Sequence, residues 1–203
     1  MKVFEASTAP NCRRVRMFLA EKGIEMEYQQ VDITSGENLS PAMRDKNVTT
    51  KVPFLELDDG SYIGESVAIC RYFEELYPET SPLMGVTPLE KAEIEMWHRR
   101  VEMHFMLQVG MCFQHTSGFF KDRMTPVPAY GVVAGEQALE FMAVLDQRLA
   151  NSTYIAGENF SIADILALCT VDFARVVKLR MNDSQVNLKR WYDSVSNRDS
   201  AKA

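Results

Sequence analysis

Apolar residues change their spacing repeatedly along this chain, and the changes mark out its elements. From Met1 to Ala6 apolar and polar positions alternate, as in a short half-buried strand. Ser7-Thr8-Ala9-Pro10-Asn11 is a turn-and-cap cluster. Val15, Phe18 and Leu19 then give the following helix its buried side, and Gly23 is suited to end it. Glu27 to Ile33 reads as a second strand. The polar stretch Thr34 to Thr50 admits at most a short helix near Pro41–Lys46. Thr50 to Pro78 carries the densest pattern: a strand, a tight turn at Asp58-Asp59-Gly60, a second strand, and a helix opening at Glu65-Ser66. Val67, Ile69, Cys70, Phe73, Leu76 and Tyr77 supply that helix with turn-spaced apolar positions, and its first-turn N–H groups form an anion site. The predicted order is β-α-β-α-β-β-α.

Strand patterns nearly vanish afterwards. Glu79 to Thr87 is rich in turn residues and reads as a linker. Pro88 suits a first helical position, and the helix it opens is predicted to run to about Gln114. Between Val101 and Phe113 apolar residues surround it almost completely, which predicts burial on more than one face. His115 to Tyr130 is broken by Gly118, Pro126 and Pro128, and a helix from about Val133 to Leu149 follows. Ser161 and Asp164 have the spacing of a capping box, flanked by Phe160 and Ile165 at hydrophobic-staple positions. Both polar residues are therefore assigned to folding. The helix they launch, Ile162 to about Leu179, should be the core of the second domain.

Composition narrows the function classes. The chain has 203 residues, 46% hydrophobic and 25% charged, with net charge −6, so nucleic acid and anionic membrane are poor partners. No apolar run reaches the length of a membrane span. Cys12, Cys70, Cys112 and Cys169 are scattered through apolar helical patterns, which predicts reduced cytoplasmic thiols and no metal pairing. His104 and His115 share a helical face but sit about 16 Å apart along it, too far to share an ion. His98 reads as a solvated or interface residue.

Lys51-Val52-Pro53, Asp58-Asp59-Gly60 and Glu65-Ser66-x-Ala68-Ile69-x-x-Tyr72 together closely resemble the glutathione-binding segment of the soluble glutathione S-transferases. The resemblance extends along the whole chain. It implies an α/β thioredoxin-like N-terminal domain over 1–78, a linker over 79–87, and an all-helical domain over 88–203 that lines the electrophile site. It also implies the ligand contacts. Val52 would pair backbone to backbone with the cysteinyl unit, beside a cis Pro53. Glu65 would meet the α-amino group, the N–H and hydroxyl of Ser66 the α-carboxylate, and Lys51 the glycyl carboxylate. In isolation, Glu65-Ser66 would read as ordinary helix capping.

A thiol of pKa about 8.5 must be stabilised as thiolate by roughly 2.7 kcal/mol to ionise two units lower. The family usually does this with a hydroxyl or cysteine at the start of the first helix. Here Ala9-Pro10-Asn11-Cys12 looks like a Cys-Pro-x-Cys corner whose first residue is alanine. Four substitutes stand nearby or in the second domain. Thr8 offers a hydroxyl, Asn11 an amide beside backbone N–H groups, and Cys12 a thiol whose packed-core reading outweighs a redox role. His115 with Ser117 resembles the pair that holds a water near the sulfur in some atypical fungal and bacterial members. For His115 the alternative is a histidine capping helix-end carbonyls. Met103, Met106, Met111 and Met124, with Phe113, Phe119 and Phe120, read as core packing or as an adaptable apolar pocket.

The leading expectation is a cytoplasmic, homodimeric glutathione transferase that joins the glutathione thiolate to a small apolar electrophile, with no metal and no cofactor beyond that cosubstrate. A glutathione-dependent disulfide or peroxide reductase is the second reading, weakened by Ala9. A non-catalytic glutathione-binding or regulatory protein is the third.

Overall fold

The alternating N-terminal run forms β1 (Lys2–Glu5), which lies at the centre of a mixed sheet ordered β2-β1-β3-β4. In this computed structural model, which describes Met1–Ala203, β2 (Glu27–Gln30) runs parallel to β1. β3 (Phe54–Glu56) and β4 (Tyr62–Ile63) are antiparallel, with Val3 opposite Leu55 and Leu55 opposite Ile63. Period-two alternation sends Phe4 and Phe54 to one face, where their rings stack at 4.5 Å and pack with Val31, Met43 and Tyr62. Val3 and Leu55, on the other face, are completely buried. Between the strands come α1 (Pro10–Glu21), α2 (Pro41–Lys46) and, last, α3 (Ser66–Leu76), so the element order is the predicted one.

Local chemistry sets the ends of these elements. Gly23 takes left-handed backbone (φ +67°) and donates its N–H to the Ala20 carbonyl just past α1. Ser40 accepts from the Met43 N–H at the start of α2. β2 ends at Gln30 rather than Ile33 because Asp32 turns the chain, accepting from the N–H groups of Thr34 and Ser35 at 2.8 and 3.1 Å.

Two compact units result: Met1–Leu83 with Asp199–Ala203, and Met84–Arg198. The last five residues thus join the first unit, where Arg13 Nη2 donates to the Ala201 carbonyl at 2.9 Å.

The second unit is helical. The single helix expected from Pro88 to about Gln114 is three pieces: α4 (Pro88–Val101), a π-helical turn at Glu102–Met106, and α5 (Leu107–Thr116). Val101, Phe105, Val109 and Cys112 are buried, but Met103, His104 and Leu107 are exposed, so the segment is not covered all round. α6 spans Pro128–Leu149 and starts earlier than expected, because Pro128 occupies the helix-compatible first turn. Gly131 serves packing: a Cβ there would lie 2.7 Å from Thr116 Cγ2 and 2.9 Å from His115 Cβ. α8 is Val186–Ser196.

α7 (Ile162–Ala174) is the core helix, buried along nearly its whole length. Asp164 Oδ2 accepts the Ser161 N–H at 3.0 Å, and Ser161 Oγ accepts the Ala163 N–H, so the capping pair acts in folding as expected. Asp164 Oδ1 also takes the Ile155 N–H at 2.9 Å and Trp191 Nε1–H at 2.8 Å, tying α8 to the start of α7. Burial pushes this carboxyl up to about 6, against the pull of those donors. His98 is corrected by the structure. It is fully buried on the inner side of α4, not solvated. No helix is long and apolar enough to cross a membrane.

Candidate active site

The glutathione-type segment begins on a braced loop. Asn38 Nδ2 donates to the Thr50 carbonyl and Asn47 Nδ2 to the Lys51 carbonyl, both at 2.8 Å, and Thr50 itself holds a left-handed φ of +55°. The Val52–Pro53 peptide is cis, and β3 starts only at Phe54, so Val52 lies outside the sheet pairing. Lys51 is exposed. Asn47 also backs the second half of the segment, because a Cβ on Gly64 would lie 3.2 Å from its Oδ1.

Past β4, Glu65 adopts φ +64°, a left-handed conformation that a non-glycine residue holds only where its surroundings enforce it. Ordinary capping does not account for this, because Glu65 makes no side-chain cap bond to α3. Ser66 follows as the first helical residue, 7% exposed. Its Oγ accepts from Arg14 Nη1 at 3.1 Å, and Arg14 is 1% exposed. With a donor already on its oxygen, the hydroxyl keeps its own proton for an acceptor. The first-turn N–H groups of α3 and the buried guanidinium beneath add positive potential at the same point. Chemically, the corner can hold a carboxylate.

Arg14 was not singled out from the sequence as a site residue. The legible sign was its position four residues before Phe18, which puts a charge on the buried side of α1.

The Ser7–Cys12 turn lies at the start of α1, with Ala9 as its uncapped flanking residue and Pro10 in the first turn. Thr8 is exposed and Asn11 half-buried, its Oδ1 without a hydrogen-bond partner. Cys12 is buried, and its Sγ accepts the Ala6 N–H at 3.4 Å. Burial pushes that thiol up to about 12, with a further push from the Glu5 carboxylate and only partial relief from the Ala6 N–H. At neutral pH it is a packed thiol and not a nucleophile.

His115 and Ser117 belong to the second unit. His115 Nδ1 accepts the Val127 N–H at 3.0 Å, so the neutral ring carries its proton on Nε2, and the ring edge meets Tyr130 at 5.1 Å. The residue therefore closes the α5–α6 loop and does not cap carbonyls. Ser117 Oγ accepts the Phe119 N–H at 3.1 Å. Phe113 touches Phe119, Phe120 and Phe173 at centroid distances of 5.5, 6.0 and 5.1 Å. The methionines divide: Met106 is buried, Met103 exposed, Met111 and Met124 half-buried.

A four-stranded mixed sheet with a cis proline before β3, followed by an all-helical unit, defines a thioredoxin-like protein with a helical second domain. Residues 3–81 match the model for the glutathione S-transferase N-terminal domain and residues 129–199 that for the glutathione S-transferase C-terminal domain. Glutathione S-transferase 2 of Saccharomyces cerevisiae is 34% identical over 206 residues, covering 100% of this chain and 88% of that protein. The crystal structure of Gtt2 from the same yeast matches with a TM-score of 0.95 at 34% identity, over 100% of this chain and 99% of that one. A Gtt2-class glutathione S-transferase of Vibrio parahaemolyticus matches with a TM-score of 0.84 at 37% identity, over 100% and 96% of the two chains. The chain belongs to the glutathione S-transferase family.

Proposed function

We propose that this chain is a glutathione transferase: it binds glutathione at the Lys51–Ser66 segment and joins its thiolate to small apolar electrophiles. The observation that carries the reading is the Glu65–Ser66 corner. A buried serine hydroxyl held by a buried arginine, beside a left-handed Glu65 whose side chain makes no cap bond, is arranged for an incoming carboxylate. Glu65 is assigned to the α-amino group, Ser66 to the α-carboxylate, Val52 with Pro53 to the cysteinyl backbone, and Lys51 to the glycyl carboxylate. In the reaction the thiol proton passes to solvent, the sulfur forms a bond to an electrophilic carbon, and the leaving group departs with its electron pair.

Thr8, Asn11, His115 and Ser117 are the side chains assigned to activating the thiol, and Phe113, Phe119 and Phe120 to an apolar cosubstrate. The reductase reading is disfavoured by Ala9 and by the raised thiol of Cys12, which leave no reactive cysteine at the corner. We assign the protein to the cytoplasm as a homodimer. Leu89, Met96, Met103 and Leu107, exposed along α4 and its continuation, form an apolar stripe suited to a second copy.

The test is retention on immobilised glutathione, followed by conjugation of a chloronitrobenzene by the parent chain and by Thr8→Ala, Asn11→Ala and His115→Ala. No binding at millimolar glutathione refutes the proposal. A rate drop confined to one variant identifies the activating side chain.

A further inference from the structure

One buried charge of the first unit takes no part in the glutathione contacts assigned above. Glu5, the last residue of β1, is 2% exposed. Its Oε2 forms a close ion pair with Arg16 Nη1, and its Oε1 accepts from Gln30 Nε2 at 2.7 Å. Both partners then reach the same residue. Arg16 Nη2 donates to the Ser7 carbonyl at 2.9 Å, and Gln30 Oε1 accepts the Ser7 N–H at 3.1 Å. A closed ring of three side chains and the Ser7 backbone, drawn from β1, the turn, α1 and β2, thus grips Ser7 by both of its backbone polar groups. A buried carboxylate is costly unless paired and hydrogen-bonded. Here every bond that compensates it converges on one turn.

The consequence falls on the next amide. The Ser7 carbonyl and the Thr8 N–H are opposite ends of one trans peptide plane. Drawing the carbonyl oxygen to a guanidinium fixes the plane, turns the Thr8 N–H the opposite way, and strengthens it as a donor by polarisation along the chain of bonds. The neighbouring N–H groups are occupied: that of Ala6 by Cys12 Sγ, that of Ser7 by Gln30, that of Ala9 by the Ala6 carbonyl at 2.9 Å. The Thr8 N–H has no acceptor within the protein, and Thr8 is exposed.

We propose that Glu5, Arg16 and Gln30 are positioning residues for sulfur activation, holding the Ser7–Thr8 peptide so that its N–H stabilises the glutathione thiolate where Ala9 has no donor to offer. This rests on the glutathione reading above. The thiol proton leaves to solvent, and the amide dipole meets the charge that remains on sulfur.

The test uses the full chain and the variants Arg16→Gln, Arg16→Lys and Gln30→Met. S-methylglutathione, which has no ionisable thiol, reports binding alone. The pH dependence of thiolate absorbance in bound glutathione reports activation. Arg16→Gln is expected to raise the bound thiol pKa by about one unit and to slow conjugation near neutral pH about tenfold, with S-methylglutathione affinity changed less than about twofold. Arg16→Lys should fall between, since an ammonium keeps the charge but not both contacts. Gln30→Met leaves the Glu5–Arg16 pair in place and should shift the thiol in the same direction by less; it carries the test if the Arg16 variants do not fold. A thiol pKa unchanged in folded variants overturns the proposal. Equal losses of S-methylglutathione binding and of rate also overturn it, because they mean general loosening of the site. If the parent chain itself does not bind S-methylglutathione, the glutathione reading fails first and this one with it.

Discussion

Replacing Trp191 by phenylalanine removes one donor from the most deeply buried carboxylate of the helical unit while keeping most of the ring. The indole Nε1–H lies 2.8 Å from Asp164 Oδ1, inside a site where that carboxyl also takes the Ile155 and Ser161 N–H groups. Burial holds Asp164 at about 6, well above an ordinary carboxylate. The sign follows from that. Asp164 ionises in the unfolded chain near the usual carboxylate value and in the fold only near 6, so its contribution favours the fold at low pH. That contribution is lost as pH rises between the two, a loss of about 3 kcal/mol. Losing the indole donor penalises only the ionised form and raises the folded value further. Part of the cost, the smaller ring in a packed core, is independent of pH, while a hydrogen bond to a charged group contributes about 1.5–3 kcal/mol only where the group is charged. Urea unfolding followed by circular dichroism should therefore show Trp191→Phe losing at least about 1 kcal/mol more at about pH 8 than at about pH 5. An equal loss at the two values would refute the reasoning, because the whole effect would then be packing.

Other outcomes follow from the same geometry. Ser66→Ala should weaken glutathione binding about ten- to a hundredfold by calorimetry, the cost of a hydrogen bond to a carboxylate, and should also lower stability by stranding a donor of Arg14. Gly131→Ala should cost about 1–3 kcal/mol in thermal or urea unfolding, since its Cβ would press on the side chains of His115 and Thr116 at the end of α5. Native Cys12 should resist a thiol-specific disulfide reagent near pH 8 that labels it at once in denaturant; its thiol at about 12 also predicts that its contribution to stability is lost only as pH rises from about 9 through 12.

What the sequence made legible was the chemistry that acts over one helical turn or one hairpin. The Ser161–Asp164 cap, the left-handed Gly23, the short α2 and the Asp58-Asp59-Gly60 turn each depend on residues within a few positions of each other. The glutathione segment was legible for the same reason, as a run with its own spacing. The π-helical turn at Glu102–Met106 was hidden because an apolar run without a clear polar face has no period to interrupt. His98 has a related cause: a polar residue followed by Arg99 and Arg100 in a helix reads as solvated or interfacial, and its burial comes from the fold.

The harder omissions were the buried charges, and they share a cause. Glu5 and Arg14 are buried and Arg16 half-buried, and the partners that make this tolerable stand far off in sequence: Arg14 bonds Ser66 across 52 residues and Glu5 bonds Gln30 across 25. Apolar periodicity cannot register such pairs: even where it puts a charge on a buried side, as with Arg14, it names no partner for it. Yet these are the groups that steer the Ser66 hydroxyl and the Ser7–Thr8 peptide, the two points where charge on the ligand would be met. Read from the turn alone, Ala9 leaves the usual activating position vacant, with Thr8, Asn11 and the backbone N–H groups, Cys12, or His115 with Ser117 as substitutes. With the sheet in place, the turn is held from behind by side chains of β1, α1 and β2, and the donor it offers is a backbone amide that no substitution pattern would reveal.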